Sequence, residues 1–224
     1  TQAVKDDLSK YTKINPEKII VTPWGYKMRN NESRITNYGE RKKQILYIGR
    51  VEAKKNIENL IKGFQLFSQG HPDYKLILAG RLDPKFPNHN SLFTIHNSVE
   101  LPGYISEAEK YQLLRESAVL IHVPLEEGFG FTLLEAFDFG LPVVASDIPV
   151  LREVGGDACE YVNPNSPEDI ADKLKFILSE RSESKNPVSG APLVDSLLTK
   201  GHERLKFFNW SKTAEQILGE ITGK

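Results

Sequence analysis

From Gln44 onward the chain alternates short, uninterrupted apolar runs with longer stretches of helical periodicity, and this alternation constrains the fold more than any other feature. The runs are QILYIG (44–49), YKLILAG (74–80), VELPG (99–103), AVLIHV (118–123), PVVAS (142–146) and CEYV (159–162). Most do not alternate polar with apolar residues, as a sheet with one wet face would require. Both faces are therefore expected to be covered, which is the condition of a parallel sheet. Helical stretches fall between the runs at Ile57 to Ser68, Glu107 to Ser117, Thr132 to Phe139, Pro149 to Val154 and Pro167 to Leu178, followed by Leu193 to Phe207 and Ser211 to Glu220. The expected class is α/β: a Rossmann-like parallel sheet of about six strands with helices on both faces.

Local signals support these boundaries. Ser106 with Glu109, and Ser166 with Pro167 and Asp169, put a capping hydroxyl and an acid where free N–H groups and the positive helix end favour them. Gly140 follows AFDF as a helix stop ahead of Pro142. Before Gln44 the reading is a polar helix over residues 2–13, a strand at Lys18 to Pro23, and a segment from Trp24 to Lys43 with little periodicity, which reads as a linker between domains.

With 29 Lys and Arg against 30 Asp and Glu, the chain lacks the global positive charge that duplex nucleic-acid binding needs. A nucleic-acid partner is not expected. The single cysteine, Cys159, permits no intrachain disulfide and no cysteine metal cluster, as in a reducing compartment. No apolar run reaches the roughly 18 residues of a membrane span, and a cytoplasmic location is expected, with peripheral attachment at the inner membrane face as an option. The chain contains no G-x-G-x-x-G after a strand, no G-x-x-x-x-G-K-[ST], no G-x-S-x-G and no H-E-x-x-H. Dinucleotide redox enzymes, P-loop NTPases and α/β-hydrolases thereby lose their support. The five histidines lack ligand spacing, and His122, at a strand end, reads as structural rather than catalytic.

Two groups of residues carry chemistry. In the segment 124–140, PLEEGFGFTLLEAFDFG, the turn Gly128-Phe129-Gly130 feeds straight into a helix, so free N–H groups and the positive helix end face whatever lies above the strand. Glu127 and Glu135 frame that turn, and carboxylates there can accept hydrogen bonds from sugar hydroxyls; equally, Glu135 could merely complement the helix dipole and the glycines merely permit the turn. The second group is Gly49 and Arg50 at the end of the first apolar run, with Lys55 five residues beyond Arg50. In open α/β sheets ligands bind at the carboxyl ends of strands, where both groups fall. Two cations there could hold a diphosphate, a unit charge at 4 Å contributing about 4 kcal/mol at an effective dielectric near 20.

These residues, in order, resemble a known family. Gly49-Arg50 with Lys55-Asn56, then LILAG, VELPGYIS, Glu127-Gly-Phe-Gly-Phe-Thr-Leu-Leu-Glu135-Ala, Gly140-Leu-Pro-Val-Val-Ala-Ser and Glu153-Val-Gly-Gly-Asp-Ala look like the nucleotide-sugar domain of family-4 retaining glycosyltransferases of GT-B fold. The match runs from about Gln44 to Leu178, with FFNWSKTAEQI resembling the family's closing helix and KIIVTPWGY its interdomain strand and hinge. The resemblance implies that residues 1–28 are the remnant of an N-terminal acceptor domain and hinge, 29–43 a linker, and 44–224 the donor-binding domain with its C-terminal helices.

It further implies a nucleoside-diphosphate sugar as donor, a saccharide or lipid-linked acceptor, retention of anomeric configuration, and no metal or other cofactor. Residue by residue, Arg50 and Lys55 fall to the donor diphosphate, with Gly49 among the donor-binding residues, and Glu127 to the sugar hydroxyls. The amides of Gly128, Phe129, Gly130 and Phe131, beside Thr132, fall to sugar and phosphate. Glu135 falls to the ribose, and Gly80, Arg81, Tyr104 and Ile105 to the base. Arg50, Lys55 and Glu127 form the implied catalytic set. The EVGGDA segment leans toward a mannosyl or related hexosyl donor. The alternatives are a catalytically silent nucleotide-sugar-binding or interaction module and a sugar-nucleotide epimerase of similar fold. Three departures stand out from the family pattern: Pro124 three residues before Glu127, Arg81 after Gly80, and Trp24 in the hinge.

Overall fold

A computed structural model describes residues 1–28, 41–86, 98–183 and 192–223, with backbone alone at 180–183. Strands β1 (Gln44–Ile48), β2 (Lys75–Ala79), β3 (Val99–Gly103), β4 (Val119–His122), β5 (Val143–Ser146) and β6 (Glu160–Val162) form one sheet in the order β3-β2-β1-β4-β5-β6. Every pairing is parallel, with Ile45 opposite Leu76 on one side of β1 and Val119 on the other. This is the doubly wound order, in which successive strands are added outward from β1 on one side and from β4 on the other.

The helices are α1 (Gln2–Tyr11), α2 (Ile57–Ser68), α3 (Glu107–Glu116), α4 (Phe131–Asp138), α5 (Pro149–Gly155), α6 (Pro167–Glu183), α7 (Pro192–Leu205) and α8 (Trp210–Thr222). Helix α2 buries Ile57, Leu60, Ile61, Phe64 and Phe67, a single stripe at helical spacing, against one face of the sheet. Ile45 and Tyr47 of β1 join that core with Ile170 and Leu174 of α6, while Leu46 between them joins the opposite core with Leu133, Leu134 and Leu151 of α4 and α5. Alternate side chains of one strand are thus both fully buried, which is why the runs carry no polar alternation.

The predicted caps form. Ser106 Oγ accepts the Glu109 amide while Glu109 accepts the Ser106 amide, a reciprocal cap on α3. At the end of α4, Gly140 takes φ +56° and donates to the Phe137 carbonyl, and Leu141 donates to the Ala136 carbonyl, the paired bonds of a Schellman stop.

Two expectations need correction. Residues 18–23 form no strand: Pro16–Lys18 makes a single 3₁₀ turn, and the extended residues after it pair with side chains of α8 instead of a neighbouring strand. The Val21 carbonyl accepts from Gln216 Nε2 and the Pro23 carbonyl from Thr213 Oγ1. Helix α6 runs to Glu183 rather than stopping at Leu178, because the next residue able to break it is Pro187. Most of the segment 29–43 lies outside the described residues, but Arg41 is only 5% exposed. Its guanidinium donates to the carbonyls of Leu114, Ser117, Phe139 and Gly140, closing the ends of α3 and α4 where a cation is favoured.

Candidate active site

The chain leaves β1 toward β2 on one side of the sheet and reaches β4 on the other, so the carboxyl ends of β1 and β4 flank the point where strand order reverses. Both sequence-predicted groups lie there. Gly49 and Arg50 follow β1; Val123 to Gly128 follow β4. A crevice at this point is the usual ligand position of a doubly wound sheet.

The β1 end is fixed by backbone bonds. Gly49 N–H donates to the Ala79 carbonyl, Gly80 N–H to Gly103, and Val51 N–H to Arg81. Beneath them the buried Tyr47 hydroxyl donates to the Arg50 carbonyl at 2.8 Å, and burial pushes its ionisation well above the ordinary range. The strand ends approach so closely that a Cβ on Gly80 would stand 1.9 Å from the Gly49 carbonyl oxygen, at a φ of +150°. Only glycine fits. Arg50 projects outward, 58% exposed, 3.1 Å from Asp83 and 3.6 Å from Glu52.

Lys55 ends a short 3₁₀ turn, and Asn56 follows in the left-handed region at φ +60°. The buried Asn56 amide donates to the carbonyls of Val123 at 3.0 Å and Pro164 at 2.6 Å, tying the Lys55 turn to the end of β4. Lys55 Nζ then meets Glu127 Oε2 at 2.6 Å, both side chains under 20% exposed. His122 Nε2 lies 3.3 Å from the same oxygen, and Glu127 Oε1 accepts the Gly128 amide at 3.1 Å. Burial alone would raise the Glu127 pKa, but the hydrogen bonds from His122 and Lys55 outweigh it and bring the carboxyl down to about 2.

Helix α4 starts at Phe131 with Gly130 at φ +96° in the cap position and no side-chain cap, and within its first turn the Leu133 amide donates back to the Gly130 carbonyl at 3.0 Å. A side chain at Gly130 would sit 2.7 Å from Leu151 in a backbone region L-residues avoid. Phe129 is buried against Phe131 and Phe208, so this residue can offer a ligand its amide but not its ring. Trp24 closes the row edge-on to Phe131 and Trp210.

Two hollows lie at the carboxyl ends of the strands, and the second takes in the Lys55–Glu127 pair. One of about 640 Å³ is lined by Gly49, Arg50, Gly80, Arg81, Tyr104 and Ile105, together with Lys110. The Arg81 guanidinium lies 5.1 Å from the centre of the Tyr104 ring, which is 73% exposed. The other, of about 700 Å³, is bounded by Lys54, Lys55, Glu126, Glu127 and Gly128 and by Asp6, Asp7 and Tyr11 of α1. Helix α1 is seated there by Glu153, whose carboxylate accepts the amides of Gln2 and Ala3.

Glu135 is bound to Lys110 at 2.7 Å, with Glu107 2.8 Å from the same ammonium. Burial opposes the charge on Lys110, but the two carboxylates prevail and raise its pKa. Sequence reasoning misses Lys110, because its partner lies 25 positions away on another helix and no local spacing links them. His122, structural by the sequence reading, stands against Glu127 because the segment five residues on turns back over the end of β4.

A doubly wound sheet with a Lys–Glu pair and an uncapped helix start at its switch point defines an α/β domain of the doubly wound class. The chain belongs to the glycosyl transferases group 1 family, whose model matches residues 28–193. Among curated relatives, O-antigen chain mannosyltransferase B of Escherichia coli is 28% identical over 177 residues, 77% of this chain and 44% of that protein. O-antigen chain mannosyltransferase RfbU of Salmonella typhimurium is also 28% identical, over 78% of this chain and 48% of its own length. The chain therefore spans about half the length of the curated relatives it matches. Among solved structures, a mutant of S. aureus TarM, in complex with fondaparinux, alpha-GlcNAc-glycerol and UDP, superposes with a TM-score of 0.77 at 20% identity, covering 98% of this chain and 42% of that one. The Rossmann-like α/β fold expected from sequence, a six-stranded parallel sheet with helices around it, is thereby established.

Proposed function

We propose that the chain is the donor-binding half of a retaining hexosyltransferase, acting from a nucleoside-diphosphate sugar on a saccharide or lipid-linked acceptor. Residues 44–224 are the donor domain, and residues 1–28 the end of an acceptor-binding domain and hinge. The observation that carries the reading is the Lys55–Glu127 pair at the switch point, which lines the hollow bounded by α1, together with a cation-lined hollow at the ends of β1 and β2. A diphosphate at the uncapped start of α4 meets Lys55 and Arg50. The base lies toward Arg81 and Tyr104, and the ribose toward Glu135. The sugar reaches Glu127, whose remaining Oε1 lone pair accepts a hydroxyl.

In the reaction the bond between the anomeric carbon and the diphosphate oxygen breaks, and a new bond to the acceptor oxygen forms on the same face. The acceptor proton passes to the departing phosphate oxygen. Lys55 and Arg50 stabilise the negative charge that develops there, without a metal. A mannosyl donor is favoured by the two O-antigen chain mannosyltransferases among the relatives. The site as a whole sits beside α1, which fits completion of the acceptor pocket by the other half of the enzyme.

Saturation-transfer NMR with GDP-mannose and UDP-glucose tests the reading. The sugar protons of one donor are expected to receive saturation in the parent and to lose it in Glu127→Ala. Equal transfer in both proteins, or none from either donor, contradicts it.

A further inference from the structure

Resting on that reading of the site, we infer that His122 is a positioning residue that holds Glu127 for the donor sugar through a single Nε2–H hydrogen bond. The imidazole is 4% exposed and its Nε2 stands 3.3 Å from Glu127 Oε2. Its Nδ1 is buried and, among the described residues, meets no hydrogen-bond partner. A proton on Nδ1 would be a buried donor facing nothing, whereas a bare lone pair there is the lesser loss. The proton therefore sits on Nε2 and is given to Glu127.

The consequence for Glu127 is a count of acceptor sites. Oε2 takes Lys55 and His122, and Oε1 takes the Gly128 amide. Of the four lone-pair directions of a carboxylate, one on Oε1 is left. Lys55 alone is a flexible point charge that lets the carboxylate turn about its bond to the chain; the rigid imidazole, fixed in the last residue of β4, removes that freedom. His122 thus selects which oxygen of Glu127 is offered to a sugar hydroxyl. His122 lines neither hollow, so its effect reaches a ligand through Glu127 and belongs to the sugar alone.

The test has two parts. In a long-range proton–nitrogen NMR spectrum of the ¹⁵N-histidine-labelled protein, the resonance set missing from His122→Phe is expected to show the Nε2–H form. An Nδ1–H form or a doubly protonated ring there overturns the assignment. In calorimetric titrations with GDP, GDP-mannose, UDP and UDP-glucose, the nucleotide that binds the parent is expected to bind His122→Phe within about twofold. Its sugar conjugate is expected to bind about fivefold to tenfold more weakly, and His122→Gln, whose Nε2–H reaches a similar point, to recover most of that loss. Unchanged affinity for the sugar conjugate in His122→Phe, or equal losses for nucleotide and conjugate, overturns positioning. A parent that binds the nucleotide but gains nothing from the sugar also overturns it; one that binds none of the four overturns the donor reading itself, while the NMR result stands independently.

Discussion

Lys55 and Glu127, 72 positions apart in sequence, are joined by a 2.6 Å ion pair that bridges the ends of β1 and β4. The pair is mostly shielded from water, so each charge relies on the other. Removing Lys55 alone leaves a carboxylate with only His122 and one amide; removing both charges leaves a site without an uncompensated ion. Lys55→Met is expected to cost about 2 kcal/mol in urea unfolding, and the Lys55→Met, Glu127→Gln double variant less than the sum of the two single changes. Additive costs would show the two residues to be uncoupled.

The acid limb of stability follows from the same contact. The Glu127 carboxyl is lowered from an ordinary 4.5 to about 2, so its ionised form stabilises the native state fully above about pH 4.5, and the contribution is lost as pH falls through about 2. Across that window Glu127→Gln is expected to lose stability less steeply than the parent, as measured by thermal unfolding at a series of pH values. Parallel curves would contradict the shift.

Asn56 carries two separable loads, a left-handed backbone and two side-chain hydrogen bonds. Asn56→Gly gives up only the bonds, at about 1 kcal/mol each. Asn56→Ala gives up the bonds and adds about 1–2 kcal/mol of backbone strain. Alanine is therefore expected to be the more damaging in denaturant titrations, the reverse of the order found in helix interiors. Glycine proving worse would mean that the turn relaxes out of the left-handed region.

Arg41 gathers four carbonyls from the ends of two helices. Arg41→Ala is expected to cost about 3 kcal/mol or more, and Arg41→Lys to recover only part, because an ammonium cannot span both helix ends as the planar fork does. Equal stability of the lysine variant and the parent, by calorimetric melting, would count against the fork.

How much of this is legible in the sequence depends on the range of the interaction. The strands of the sheet are readable because burial on both faces leaves uninterrupted runs such as LYI and VLI, and the caps at Ser106 and Gly140 because their partners lie within four residues. Glu127 and Lys55 can be placed at strand ends, but not joined, since the contact depends on strand order. The strand expected at Lys18 to Pro23 fails for the same reason: its β-branched residues specify extended backbone, and only tertiary context decides whether a neighbouring strand or α8 receives it. Arg41 lies in a polar stretch that resembles a linker, and nothing local marks a guanidinium that closes helices more than 70 residues away.

The central claim is that the β1–β4 crevice holds a nucleoside diphosphate through Arg50 and Glu135 without a metal, and calorimetric titration in a chelator tests it most directly. UDP, GDP and ADP, with their common sugar conjugates, are added to the parent, Arg50→Ala and Glu135→Ala. The account predicts selective binding of one base, weakened about tenfold by each substitution. Binding that requires a restored divalent cation, or that is indifferent to both substitutions, would contradict it.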